Sequence, residues 1–563
     1  MKSAFLIPFG LVTVIFISAH VSDRIYGLNW DGMLIHKEYV MALEGGWNPS
    51  KDPYFEKGLE NVPDWESDFI EEKLRWGGYN VRFGYIWQSV LAKAVGSNEA
   101  CKGINILFYI LPFFASLLLF RNFGLDTWRQ LLLSLVVALN PTCIIQYFSY
   151  WEDIHFACFS VTSILLALNL CLVRNRNSFF IFALSLILLI GSKRSGVAFA
   201  FALIPATVLS YFITGNRMKV KHLVISTLSL LAGLAIVLLV GKVFGLWKTH
   251  GWLPFKLDYL LSLSSLEYYF GESFAARFPR LTSVAGAVQA FLSAISPASM
   301  EPDDVSFRFP FSFRKEEIAV YSHIFTGPWF GGNGPFFGEA IALSLIGRFG
   351  CKFKWNKKEL LCLLGVFFIL AILYVMPAYY SRWIPFIWLF PVLLFLSISS
   401  GERDKGRSLP SFSILKVGYG NKIWRWICAM SVPVMLLNAS LLLILNVSGH
   451  MNASAIVNEQ LEFIDEYLEH PIKVQFNNFP SNRDWFERKS VSFELVDALN
   501  ERVPVLCISR TDTLIDLSHF DFNQSLMIGG KEWDTIYDWA DSINRRSGYR
   551  SNWASWIRPA ISG

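Results

Sequence analysis

Charged side chains that could do chemistry border the apolar stretches of the sequence. They form four groups: Asp23, Asp31 and His36; Glu152, Asp153 and His155; Lys193 and Arg194; and Arg382 with Tyr379 and Tyr380. A carboxylate can act as a general base towards a hydroxyl, and a cation can hold and neutralise a departing phosphate. Because a charge at the edge of hydrocarbon is costly, side chains retained there are candidates for function. The four groups predict a site that carries both signs of charge.

The acidic candidates also have structural explanations. Asp31 precedes a helix-like stretch over residues 32–43 and could be its N-cap. Glu152 and Asp153 open an apolar stretch, where negative charge suits the positive end of a helix dipole. Both interpretations stay open for each carboxylate.

The basic and histidine candidates have alternatives too. Lys193, Arg194 and Arg382 could extend their cationic heads into the headgroup layer as membrane anchors. His36 and His155 are lone histidines, which are more often structural than catalytic.

Composition defines the elements that must position these residues. Of the 563 residues 53% are hydrophobic and 17% are charged, whereas about a quarter is charged in a soluble domain. Several apolar runs reach the roughly 20 residues that cross a bilayer, so we expect a polytopic α-helical membrane protein with about eleven transmembrane helices. The predicted spans are 4–21, 104–120, 129–147, 154–173, 179–192, 196–213, 223–243, 333–349, 360–377, 384–399 and 426–446. The first could also be a signal peptide, although no small-residue cleavage site follows it, which favours a retained anchor.

The distribution of lysine and arginine predicts the orientation, because short cytoplasmic loops collect these residues. From a cytoplasmic N-terminus, the short inner loops contain Arg121, Arg129, Arg174, Arg176, Arg217, Lys219, Lys221, Lys352, Lys354, Lys357, Lys358, Lys405, Arg407, Lys416, Lys422 and Arg425. The short outer loops contain only Lys193, Arg194 and Arg382. All four candidate groups then lie on the outer face.

The same threading predicts the domains. Residues 1–446 form a transmembrane domain with outer loops over about 22–103 and 244–332. Residues 447–563 are charged and mixed, with strand-like runs at 472–476 and 503–508, which predicts a small α/β domain on the outer face. Cys101 and Cys507 are the two cysteines that could meet there and form a disulfide.

Several local patterns, in order, resemble the GT-C superfamily of membrane glycosyltransferases, which includes protein mannosyltransferases and lipid A aminoarabinose transferases. Residues 29–36, closing at 45–49, look like the first outer loop of that family. Residues 140–153 resemble its second outer loop, 191–196 a short basic turn of related bacterial sequences, and 380–391 their late outer loop.

The resemblance implies a GT-C-like fold in a bacterial inner membrane, with the C-terminus outside. It also implies inverting transfer of a sugar from a polyprenyl-phosphate donor to an extracytoplasmic glycolipid, polysaccharide or protein. The implied roles are catalysis for Asp31, lining of the acceptor cavity for His36, Glu152 and Asp153, and binding of the donor phosphate for Lys193, Arg194 and Arg382.

A divalent cation is a further implication, since some members of the family use one. Mg²⁺ or Mn²⁺ could be bound by Asp31 and Asp153, with Glu152 as a third carboxylate. Glu152 and Asp153 are adjacent, however, and adjacent helical residues point about 100° apart. The sequence therefore predicts that only one of them faces the site, which weakens the expectation of a metal.

Two other classes of membrane protein are alternatives. A polymerase or ligase of surface polysaccharide would have its key residues in the late loop, whereas the densest charged cluster here comes early. A lipid or sugar transporter would be expected to show paired halves with interrupted helices, and the sequence has no such symmetry. Nucleic acid is not an expected partner, and the sugar and the acceptor stay open.

Overall fold

The protein is predominantly helical, as the sequence predicts. The computed structural model describes residues 2–27, 32–46, 83–150, 152–215, 293–294, 306–307, 311–313, 317, 321, 333–353, 355–375, 384–399, 419–467, 472–475, 483–495 and 527–528. Within these ranges, four helices are long and apolar enough to cross a membrane: Glu99–Phe123, Asp153–Val173, Ser195–Ile213 and Lys422–Met451. These helices support a helical membrane protein.

The N-terminal part begins with α1 (Lys2–Asp23). A π-helical turn (Gly32–Lys37) continues directly into α2 (Glu38–Glu44), over the stretch predicted to be helical. Helix α3 (Phe83–Val95) and a 3₁₀ helix (Glu99–Ile106) then lead into the bundle.

The bundle is made of helices that pack side by side around one apolar core. Their bounds are α4 (Leu107–Phe123), α5 (Thr127–Ala138), α6 (Pro141–Ile145), α7 (Asp153–Val173), α8 (Arg176–Ile190), α9 (Arg194–Ile213), α10 (Phe337–Gly350), α11 (Lys357–Val375), α12 (Leu389–Ser399) and α13 (Tyr419–Tyr467). Helix α7 lies at the centre, since nearly all of its residues are buried.

The predicted span over 129–147 is interrupted rather than continuous. Helix α5 ends at Ala138, and the side chain of Asn140 accepts a hydrogen bond from the Thr142 amide to begin α6. The reason is local, because Pro141 has no amide hydrogen to continue a helix but suits a first helical position. The Asn140 amide also donates to the Pro385 carbonyl at 2.9 Å, so the break faces the 3₁₀ helix Pro385–Trp388 that precedes α12.

Helix α13 is longer than the span predicted over 426–446. Its 49 residues extend about 70 Å at 1.5 Å per residue, more than twice the thickness of the hydrocarbon layer. The helix passes through residues 446 and 447, where the sequence placed a domain boundary. That division stays a prediction.

Short strands accompany the helices. In the C-terminal part, β3 (Ile472–Gln475) pairs in parallel with β4 (Phe493–Leu495) and antiparallel with β5 (Met527–Ile528). Helix α14 (Arg483–Lys489) lies between β3 and β4 in the chain. In the predicted loop 244–332, β1 (Ser293–Ala294) pairs antiparallel with β2 (Ser306–Phe307).

Basic residues from several predicted inner loops meet at one end of the bundle, here called the basic end. Lys358 donates to the carbonyl of Phe123 at 2.9 Å, and Arg174 donates to that of Tyr211 at 2.9 Å. These bonds satisfy carbonyl groups that helix ends leave without partners. The opposite end, which carries Glu152 and Lys193, is called the site end.

The predicted disulfide cannot be placed from the described residues. Cys101 is buried in the 3₁₀ helix at the site end, and Cys507 lies outside the described residues. The pairing stays a prediction.

Candidate functional site

An ion-paired group lies where α7 and α9 begin. Glu152 is the N-cap residue of α7, Asp153 is its first residue, and Lys193 directly precedes α9. The ammonium group of Lys193 contacts Asp153 Oδ1 and lies 3.6 Å from Glu152 Oε1. Two predicted site regions, 40 residues apart in the chain, are therefore brought together.

The adjacency of Glu152 and Asp153 leads to a correction. The sequence predicted that only one would face the site, but both carboxylates reach the same lysine. The reason is that the Lys193 ammonium lies between the two carboxylates, so that both contact it although they leave the backbone in different directions. Both residues are nearly buried, at 5% and 3% exposure, which makes a cationic partner necessary.

Tyr85 of α3 connects this group to His36. Its hydroxyl lies 2.5 Å from His36 Nδ1 and donates to Glu152 Oε2 at 3.4 Å. The ring of Tyr85 stacks on that of Tyr39, with centroids 5.4 Å apart and planes 3° from parallel. The result is a continuous series of polar contacts from His36 through Tyr85 and Glu152 to Lys193.

Sequence reasoning missed Tyr85, because a tyrosine in an amphipathic helix has no distinctive signature. The signal that could have found it is the neighbouring Gly84. A Cβ atom at Gly84 would collide with the ring of His155, so only glycine lets α3 approach α7 this closely. That approach brings the Tyr85 hydroxyl to Glu152.

A second close approach fixes the turn that carries Lys193. The amide of Phe83, at the start of α3, donates to the carbonyl of Gly191 at 3.1 Å. The Phe83 ring lies where a Cβ atom of Gly191 would be. Helix α3 therefore contacts both α7 and the turn between α8 and α9, and it positions the two charged segments relative to each other.

The remaining candidates have different outcomes. His155 is fully buried beside Phe108, with ring centroids 4.5 Å apart. Asp23 pairs with Arg488 at 2.9 Å and does not join the Lys193 group. Arg194 is the first residue of α9, but its side chain, like Asp31, Tyr379, Tyr380 and Arg382 as a whole, lies outside the described residues. Their site roles stay predictions.

No known protein family, curated protein or solved structure matches the chain.

The described carboxylates do not fit a divalent cation as they stand. Across the part of the chain that the structure describes, no three His, Cys, Asp or Glu side chains are grouped to bind a metal. The ammonium group of Lys193 takes the position between Glu152 and Asp153, so a metal ion would have to displace it to reach these two carboxylates. Metal binding that includes Asp31 stays a prediction.

The arrangement suits recognition of a polar ligand. It offers carboxylates, an imidazole, a phenol and an ammonium group within one buried series at the site end. The Lys193 side chain keeps 21% of its surface exposed, so a ligand can reach its ammonium group. The carboxylates of the series can orient a hydroxyl, and the exposed part of the Lys193 ammonium can donate a hydrogen bond to a ligand.

Proposed function

We propose that this chain is a GT-C-type membrane glycosyltransferase that moves a sugar from a polyprenyl-phosphate donor to an acceptor hydroxyl. The observation that carries the proposal is the linked group of His36, Tyr85, Glu152 and Lys193. His36 belongs to the turn that begins directly after Asp31, the residue to which the resemblance assigns catalysis. The contacts thus join three of the four predicted groups.

The proposed orientation places the site end on the extracytoplasmic face of a bacterial inner membrane. It is supported by the basic end, where Arg174, Lys357 and Lys358 hold carbonyl groups of helix ends, since cytoplasmic loops are rich in such residues. Helix α13 runs from Tyr419 to Tyr467 and would deliver the C-terminal residues to the extracytoplasmic face. About eleven spans and a C-terminal α/β domain belong to this proposal.

The proposed reaction is a single displacement at the anomeric carbon. The acceptor oxygen forms a bond to that carbon as the bond from the carbon to the phosphate oxygen breaks, and the configuration inverts. The hydroxyl proton goes to the Asp31 carboxylate, acting as general base. The bonding electrons leave with the polyprenyl phosphate, which Lys193, Arg194 and Arg382 stabilise through charge-assisted hydrogen bonds.

The described acidic residues have a supporting part in this scheme. Glu152 and Asp153 hold the Lys193 ammonium in place. The Tyr85 hydroxyl contacts both His36 and Glu152 and so fixes the distance between them. A lysine side chain that is already ordered by ion pairs loses less conformational entropy when it binds a phosphate. Glu152, Asp153 and His36 would then line the acceptor side of the cavity.

The test is Asp31→Asn in the full-length protein, assayed for transfer from lipid-linked sugars extracted from the host membrane. We expect no transfer and unchanged insertion and thermal unfolding. Asp126→Asn is the matched control, because Asp126 caps α5 at the basic end and asparagine caps equally well. Transfer by Asp31→Asn at the wild-type rate would contradict the assignment of the base.

A further inference from the structure

A buried cluster of charges lies beside the candidate site. Glu99, Lys37 and Lys102 have no exposed surface. The Lys37 ammonium donates to Glu99 Oε1 at 2.9 Å, and Lys102 contacts Glu99 Oε2. The amide of Gly27 donates to the same Oε2 at 2.9 Å. Buried charges are stable only when they are paired in this way.

Helix α14, from the C-terminal part of the chain, covers this cluster. Trp485 donates from its indole Nε1 to Glu99 Oε1 at 2.8 Å. The ammonium of Lys37 lies 4.8 Å from the centroid of the Trp485 ring and 3.8 Å from Asp484 Oδ2. Trp485 is 4% exposed, so its ring separates the buried charges from water.

Further contacts hold α14 on either side of Trp485. Asn98 donates to Asp484 Oδ1 at 3.0 Å, and Arg488 pairs with Asp23 at 2.9 Å. The ring of Tyr26 meets that of Trp485 edge-on, with centroids 5.1 Å apart. A segment more than 380 residues away in sequence is thus docked on the N-terminal elements.

Lys37 directly follows His36, and the two side chains make different contacts. His36 contacts Tyr85, which reaches Glu152, whereas Lys37 contacts Glu99 and Trp485. The turn Gly32–Lys37 is therefore held from two sides. The His36 contacts connect the turn to the candidate site, and the Lys37 contacts connect it to the buried charges beneath α14.

We propose that α14 restrains the turn Gly32–Lys37. Trp485 is then a positioning residue: through its contacts with Lys37 and Glu99 it keeps His36 in contact with Tyr85, which reaches Glu152. The link from this position to sugar transfer rests on the proposed function. The docking itself does not, since it follows from the Lys37, Glu99 and Trp485 contacts.

The physical reason is the protection of the Lys37–Glu99 pair. With Trp485 in place, the pair is dry and its attraction is strong. Removal of the indole admits water, removes one hydrogen bond from Glu99 and removes the cation–π contact of Lys37. The turn then opens more often, while the bundle around α7 keeps its packing.

The test uses the full-length protein with Trp485→Leu, Trp485→Phe and, as matched control, Trp128→Leu, whose side chain is 70% exposed on α5. Hydrogen exchange is measured for residues 32–44 and for α7 as an internal reference. We expect exchange over 32–44 to rise by about tenfold or more in Trp485→Leu, with α7 unchanged. Trp485→Phe keeps the aromatic face but not the N–H donor, so its increase is smaller.

Transfer kinetics separate positioning from simple packing. We expect Trp485→Leu to lower kcat and leave the KM for the donor within about twofold, because His36 and the turn after Asp31 are displaced while the Lys193 group is intact. Unchanged exchange over 32–44, an equal rise in α7, or wild-type kcat with raised exchange would each overturn the proposal. Raised exchange over 32–44 in a protein whose wild type transfers no sugar would refute the proposed function and leave the docking in place.

Discussion

The ammonium group of Lys193 contacts the carboxylate of Asp153 at the start of α7, the central helix of the bundle. Glu152 lies on the same ammonium group at 3.6 Å. Lys193, Glu152 and Asp153 thus form one ion-paired cluster at the site end of the bundle.

Loss of the cation should destabilise the protein. Lys193→Met removes one ammonium group from beside two nearly buried carboxylates, so we expect the free energy of unfolding to fall by roughly 1 to 3 kcal/mol. Thermal unfolding in detergent measures this change. Lys352→Met, at an exposed position of the basic end, is the control and should have little effect. Combining Lys193→Met with Glu152→Gln and Asp153→Asn should recover part of the loss, and an additive further loss would contradict the pairing.

The Tyr85 hydroxyl can be removed without its ring. Tyr85→Phe keeps the stack on Tyr39 but ends the contacts with His36 and Glu152. We expect the free energy of unfolding to fall by about 1 kcal/mol, and the rate of sugar transfer to fall by more than this loss of stability accounts for. The corresponding control is Tyr211→Phe near the basic end. Transfer by Tyr85→Phe equal to that by Tyr211→Phe would show that the hydroxyl has no part in the reaction.

The close approach of α3 to α7 depends on Gly84. In Gly84→Ala the new methyl group collides with the His155 ring, so we expect a loss of roughly 1 to 3 kcal/mol from overpacking and reduced transfer because Tyr85 moves away from Glu152. Gly10→Ala is the matched control, because a Cβ atom at Gly10 meets nothing within 4 Å. Thermal unfolding of the two variants gives the comparison, and equal midpoints would refute the packing argument.

Alkaline pH should destabilise the protein through Tyr26, whose ring contacts Trp485 of α14. Burial raises the pKa of the Tyr26 hydroxyl well above its usual value, so the folded protein keeps this proton while an unfolded chain releases it near pH 10. Stability is therefore unaffected by Tyr26 below about pH 10 and falls as the pH rises above it. Unfolding midpoints from pH 8 to 11 should fall less steeply in Tyr26→Phe than in wild type. Parallel slopes would contradict a protected phenol.

Hydropathy predicted several apolar helices, of which four in the described residues are long enough to cross a membrane, while the predicted span 223–243 lies outside the described residues. Predicted spans at 104–120 and 154–173 correspond to apolar helices over Glu99–Phe123 and Asp153–Val173, because the thickness of the hydrocarbon fixes their length. The break at Asn140 and Pro141 was not predicted, although both residues favour a helix start. The residues on both sides are apolar, so the hydropathy stays high across the break and predicts one continuous span.

The candidate site was predicted only in part. Charge in otherwise apolar surroundings singled out Glu152, Asp153 and Lys193, and these three side chains meet in space, while their roles in a site stay predictions. Tyr85 and the buried position of Glu99 were not foreseen, since each depends on contacts between distant segments. Periodicity in the sequence reports which face of a helix is apolar, but it does not report which residue of another helix lies against it.

The central claim is tested most directly by binding of polyprenyl phosphate, the product common to all donors of the proposed class, to the protein in lipid nanodiscs. This measurement needs no knowledge of the sugar. We expect saturable binding by the wild type, no comparable binding of phosphatidic acid, and affinity lowered by about tenfold or more in Lys193→Gln, from the loss of one charge-assisted contact. Absence of saturable binding by the wild type, or equal binding of both lipids, would contradict the assignment of this chain as a polyprenyl-phosphate-dependent glycosyltransferase.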